Sequence, residues 1–170
     1  MREIALACHP ESSAEAVRAV RAFVERDAAG LRVSYRIEGV IGALRIPAPR
    51  VPARADRLWE HTCAELFLAW GGPRYEEFNF SPSGEWAAFA FVRYREGAAN
   101  EDVTPPRIAV RRTESVLELE ARTGLRGGPV RLGLSAVIEA RDGGLSYWAL
   151  RHAPGKPDFH HREAFALELE

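Results

Sequence analysis

Residues 58–94 read LWEHTCAELFLAWGGPRYEEFNFSPSGEWAAFAFVRY. Within them, 62–70 is a mostly apolar run that Gly71-Gly72-Pro73 stops. Residues 75–80 alternate, with Tyr75, Glu77 and Asn79 on one face and Phe78 and Phe80 on the other. Ser81-Pro82-Ser83-Gly84 is a turn with a mechanism, because proline presets φ and glycine accepts positive φ. Residues 86–94 supply the next strand. The reading is a strand–turn–strand–turn–strand meander, which points to an all-β chain.

The flanks extend the pattern. Upstream, 3–8 alternate, and His9-Pro10 ends the strand because proline disfavours helix in the residue before it. Two readings fit 12–25. Ser12 and Glu15 match a capping box with Val17, Val20 and Val24 on one helical face. Val20, Ala22 and Val24 equally alternate with Arg21, Phe23 and Glu25. Asp27-Ala-Ala-Gly30 then leads into the clean alternation of 31–38, so a hairpin is preferred, with at most one helical turn near 12–16. Pro47, Pro49 and Pro52 mark 39–57 as an extended connector. Downstream, 95–106 reads as a loop, and 107–112, 115–122, 130–140 and 145–150 as strands. Asp142-Gly143-Gly144 turns the last two, 151–161 is a loop, and 164–169 is the final strand. About ten short strands with regular turn signals predict a single antiparallel β-sandwich spanning 1–170.

The totals narrow the function. With 46% apolar and 28% charged residues and a formal charge of −1, nothing favours nucleic acid or an anionic membrane as partner. No apolar run approaches the roughly 20 residues of a membrane helix. MREIALACHPES lacks the apolar core of a secretory signal, so the expected compartment is the cytoplasm. Cys8 and Cys63 show no ligand spacing and are expected to be reduced, small, buried residues.

Candidate chemistry concentrates in 58–86. Trp59 stands where the proline-rich connector meets a strand, a place where aromatic faces stack on sugars or other rings. Packing over a sheet edge explains it equally simply. Glu65 lies inside an apolar run, where an unpaired carboxylate is costly, so it needs a partner or an outward orientation. If Glu77 and Asn79 share its face, the three form a polar patch within a sheet; a solvated face alternates in the same way. Paired carboxylates also suit glycoside cleavage, but sequence spacing does not set their separation. His61, His152, His160 and His161, with Asp158, are the candidate metal ligands, although none has a known zinc spacing. Ca²⁺ bound by carboxylates and carbonyls is left open. No G-x-S-x-G elbow and no phosphate-cradling loop is present.

Several stretches carry a resemblance. Trp59-Glu60-His61-Thr62 with Glu65-Leu66-Phe67-Leu68, then Glu77-Phe78-Asn79-Phe80-Ser81-Pro82-Ser83-Gly84 and Trp86, resemble the DOMON-like superfamily, and more narrowly domains similar to family 9 carbohydrate-binding modules. Ser146–Leu150 and Lys156–His161 resemble a bacterial DOMON-like subgroup whose members occur alone or attached to a cell-wall precursor reductase. The resemblance implies a jelly-roll-type β-sandwich that binds a sugar or a haem. It implies Trp59 and Phe159 as the stacking aromatics, with Glu65 and Asn79 as the polar residues. Two features depart from the family: the second aromatic is a phenylalanine instead of a tryptophan, and His61, His160 and His161 stand around the site, which a plain sugar clamp does not require. His61 or His160 is expected to join Glu65 and Asn79 in meeting hydroxyls. Met1 is the only methionine, so the methionine–histidine haem ligation of some relatives is not expected, and no cofactor is required. The leading expectation is a non-catalytic domain for a small carbohydrate or similar polar ligand. A histidine-based metal protein or metal-dependent enzyme, and a protein-interaction or regulatory domain, are the alternatives.

Overall fold

A computed structural model describes residues 1–170. Its strands are β1 (Arg2–Cys8), β2 (Val17–Asp27), β3 (Gly30–Gly39), β4 (Cys63–Ala69), β5 (Tyr75–Phe80) and β6 (Trp86–Arg93), followed by β7 (Glu96–Ala99), β8 (Arg107–Arg112), β9 (Val116–Thr123), β10 (Val130–Glu139), β11 (Leu145–Ala149) and β12 (Leu167–Leu169). Twelve strands therefore stand where about ten were expected. The only helical elements are the single 3₁₀ turns Ile41–Ala43, Leu58–Glu60 and Arg162–Ala164.

The strands follow the order β7-β6-β5-β4-β10-β11-β1-β2-β3-β9-β8, with β12 beside β10. Strand β1 joins two layers of a sandwich: Arg2–Leu6 pair with β2, and Ala7–Cys8 pair with β11. The sheet stays open at β7 and β8 instead of closing. The inner faces of both layers meet in one core, where Val33 and Leu119 lie with Leu66, Phe80 and Leu134. Tyr35 crosses that core and donates its hydroxyl to the Glu65 carbonyl, 2.6 Å away, so even its polar tip is satisfied.

The ambiguous segment 12–25 is a strand from Val17 onward, with irregular chain before it. Val20, Ala22 and Val24 are buried by β3, and the helix cap is lost because Ser12 Oγ accepts the Tyr147 amide at 3.1 Å. The hairpin closes through Asp27, whose carboxylate accepts the Ala29 amide, and Gly30 at φ +133°. A Cβ on Gly30 would lie 2.2 Å from the Thr123 carbonyl, so glycine is required twice over.

Three expectations need correction. Residues 96–99, read as loop, pair with β6 as β7; all four are exposed, so no apolar alternation marks them. The final strand is shorter than 164–169, since residues 162–164 form a 3₁₀ turn. Cys63 is buried as expected, but Cys8 is only partly so, and the two are unpaired. No helix is long and apolar enough to cross a membrane.

Candidate ligand-binding site

The site lies on the outer face of the layer that holds β4, β5 and β6. Antiparallel pairing decides which side chains share that face. Glu65 stands opposite Asn79 on β5 and Ser135 on β10. One step along, Phe67 faces Glu77, and Glu77 faces Phe89 on β6. Tyr75 pairs with Phe91, their rings stacked at 4.6 Å. Two polar rows thus cross a floor that is otherwise aromatic.

The walls come from both sides. The turn Leu58–Glu60, entered through Arg57 at φ 59°, presents Trp59 edge-on to Phe89 at 6.1 Å. Trp59 stays 41% exposed, which leaves one face open. The opposite wall is the loop 151–161. His9 and His152 tie it to β1: His9 Nε2 lies 2.9 Å from the Gly155 carbonyl, and His152 Nε2 lies 2.7 Å from the Ala7 carbonyl. Asp158 fastens the loop to the β6–β7 turn, accepting from the Tyr94 hydroxyl at 2.6 Å and the Arg95 guanidinium at 2.9 Å. Phe159 and His160 are thereby held over the floor. The half-open cavity is about 440 Å³, a size suited to a small ligand.

Burial sets the charge state. Glu65 and Glu77 are 4% and 5% exposed, and neither has an arginine or lysine in ion-pair contact. Burial, reinforced by the neighbouring Glu77, pushes the Glu65 carboxyl well above the usual carboxylate range. Burial raises Glu77 to about 7, although Asn79 and Arg95 pull the other way. Burial and then Arg95 lower His160 to about 4, so its imidazole is neutral. The Arg95 amide donates to the Tyr75 hydroxyl at 3.0 Å, and that hydroxyl shares a hydrogen bond with His160 Nδ1 at 2.9 Å. His160 Nε2 lies 3.6 Å from Glu77 Oε2, a long polar contact between groups that are not a full ion pair.

The floor also holds buried polar atoms with no partner in the protein: both ends of the Asn79 amide and the Ser135 hydroxyl. They flank Glu65 on its two neighbouring strands. Both residues lie beneath the cavity and neither lines it.

Of the six residues singled out from sequence, Trp59, Glu65, Phe159 and His160 line this cavity, and Asn79 lies beside Glu65 beneath it. His61 does not belong. Its Nδ1 lies 2.8 Å from Glu139 Oε2, and it edges a separate shallow depression with Arg45 and Pro47. The histidines are dispersed: His152 packs edge-on against His9 at 4.9 Å, and His161 accepts the Glu163 amide of the 3₁₀ turn. No group of three or more His, Cys, Asp or Glu is placed to hold a metal ion. Sequence reasoning missed Phe89, Phe91, Arg95, Val137 and Tyr147, which also line the cavity. The first two were within reach, since the alternation of 86–94 puts them on the face of Glu77 once the meander is paired.

Asp158 is the clasp of this arrangement. Burial works to raise its pKa, but Tyr94 and Arg95 outweigh burial and hold it below the usual range. Asp158→Ala is expected to cost about 1.5–3 kcal/mol, the range for hydrogen bonds to a charged group. Native-state hydrogen exchange should show faster opening of 151–161 than of β10. Unchanged exchange there would mean that the two histidine tethers hold the loop unaided.

No family model matches this chain, and no curated protein does. Among solved structures, it is similar to a protein from Bacteroides uniformis for which carbohydrate binding has been suggested. The TM-score is 0.66 at 13% identity, over 96% of this chain and 83% of that one. At that identity the two share a fold.

Proposed function

We propose that this chain is a non-catalytic domain that binds a small carbohydrate, or a similar polar ligand, in the cavity over β4, β5 and β6. The observation that carries the reading is the pair of buried carboxyl groups, Glu65 and Glu77, in the lining of a cavity whose walls are aromatic. A sugar ring has an apolar C–H face for Trp59 or Phe159 and hydroxyls for the polar floor, so it matches both parts. The fold shared with the Bacteroides uniformis protein and the resemblance to DOMON-like, family 9-type modules support the same reading. Binding is preferred to cleavage because Glu65 and Glu77 stand on adjacent strands of one floor. Glycoside hydrolysis sets its two carboxyl groups on either side of the scissile bond. We place the domain in the cytoplasm, which suits two unpaired cysteines.

Calorimetry with neutral mono- and disaccharides tests this. Trp59→Ala is expected to weaken binding at least about tenfold, equivalent to about 1.4 kcal/mol of lost stacking. His61→Ala, outside the cavity, should leave affinity unchanged. Absence of binding to any saccharide, or a Trp59→Ala variant that binds like the native chain, would remove the proposal.

A further inference from the structure

We infer that the ligand carries a protonated amine, as an amino sugar does, and that Glu65 and Glu77 together receive it. This rests on the saccharide reading and names the class of sugar.

The argument begins with how this protein treats its other enclosed acids. Glu139 has Arg45 at 3.3 Å, and Asp158 has Arg95 at 2.9 Å. Half-buried Glu38 has Arg18 and Arg36, each at 3.1 Å. Glu65 and Glu77 are buried as deeply as any, lie on neighbouring strands, and have no such partner. Arg95 is the one cationic side chain that lines the cavity. It is already committed to Asp158 and, through Nε at 3.1 Å, to the Tyr94 hydroxyl. With Asp158 balancing Arg95, two acids are left over in the floor.

Two buried carboxyl groups without a cation are a costly arrangement. A neutral sugar leaves that cost in place, because hydroxyls offer hydrogen bonds but no charge. An ammonium group removes it. It supplies three donors, which the Glu65 and Glu77 carboxyl groups in the cavity lining can accept. The walls agree with this. Trp59, Phe89, Phe91, Tyr147 and Phe159 surround the acids with aromatic rings, whose faces attract a cation.

Binding then has a signature of its own. The titratable groups near Glu77 are Glu65 and Cys63 on β4, Tyr75 on β5, His160 on the loop and Arg95 in the turn. Burial holds the Cys63 thiol and the Tyr75 phenol above their usual values, and His160 is neutral. The carboxyl pair is therefore the group that can lose a proton at mildly acidic pH. An incoming ammonium forces its ionisation, and a proton leaves to solvent.

The experiment is calorimetry at pH 6 with glucosamine, glucose and cyclohexylamine, each in two buffers of different ionisation enthalpy. The expected result is glucosamine binding at least tenfold tighter than glucose, with proton release seen for glucosamine alone of the two sugars. Glu77→Gln should abolish both the preference and the release. Glu65→Gln provides the independent check. Glucose binding as well as glucosamine overturns the inference and leaves the saccharide reading standing. Cyclohexylamine binding as tightly as glucosamine, with no response to glucose, upholds the amine and overturns the saccharide reading. No response to any of the three overturns both.

Discussion

Phe67→Ala is expected to destabilise the protein by about 3–5 kcal/mol, the usual cost of truncating a buried phenylalanine. For a domain of this length, that lowers Tm by on the order of 10 °C. Phe67 is 1% exposed but does not face the sandwich core. Its ring stacks on Phe165 at 5.5 Å and meets His160 edge-on at 5.2 Å. The chain has cleared space for this stack. A Cβ on Gly133 would lie 2.8 Å from the Phe165 ring and 3.2 Å from Phe67 Cβ. Without the Phe67 ring, Phe165 and His160 lose their common support, and the tail that roofs the outer face loosens with them. Thermal and denaturant melts give the cost, and hydrogen exchange at 159–166 shows where it falls. A loss below about 1 kcal/mol, far under the range for buried aromatics, would show that the outer cluster can collapse and carries no share of the fold.

Phe67 also shows how far sequence reasoning reached. Strand β4 is buried at all seven positions, so CAELFLA presents an apolar run instead of alternation. That run was legible as a strand. Its reason was not, because the cover on its second face is the loop 151–161 with Phe165, about ninety residues later in the chain. An antiparallel strand with one wet face would have alternated. The hairpin of β2 and β3 was legible because its apolar positions obey period two and its turn ends in a glycine that geometry demands. Strand β7 was not, since backbone pairing at an exposed edge leaves no side-chain pattern.

The site divides along the same line. The face shared by Glu65, Glu77 and Asn79 follows from parity once β4 and β5 are paired, and the structure pairs them in that register. Phe159 and His160 reach the cavity as expected, from the loop that forms the second wall. His61 lies outside this cavity, at a separate depression with Arg45 and Glu139. Leu58–Glu60 rotates the chain, and His61 leaves it on the side of Glu139. Arg95 was out of reach for a related reason. It takes a left-handed φ of 55° in the β6–β7 turn, where its amide meets Tyr75 and its side chain meets Asp158.

Glu77→Gln is expected to stabilise the unliganded protein at pH 8 by on the order of 3 kcal/mol and to change little at pH 4. Burial raises the folded-state pKa of Glu77 from 4.5 to about 7. Between those values the folded chain binds more protons than the unfolded one, so stability falls as pH rises through the window. His160 has the opposite slope. Its pKa falls from 6.5 to about 4 on folding, so the unfolded chain binds more protons there and stability rises with pH. These two contributions offset each other from about 4.5 to 6.5, but Glu65, raised in the same direction as Glu77, adds a further carboxyl loss across that range. Above 6.5 the histidine is neutral in both states, and the carboxyl losses stand alone. Native stability should therefore decline through mild acid and more steeply above about pH 6.5. The Glu77→Gln profile should instead stay level to about pH 6.5, where the histidine contribution ends, and then decline less steeply than the native one. Denaturant melts of both proteins at pH 4, 6 and 8 measure the gap. A gap that does not widen with pH would mean that Glu77 is ionised and satisfied within the folded chain. The floor would then need no cation, and the case for an amine in the cavity would fall with it.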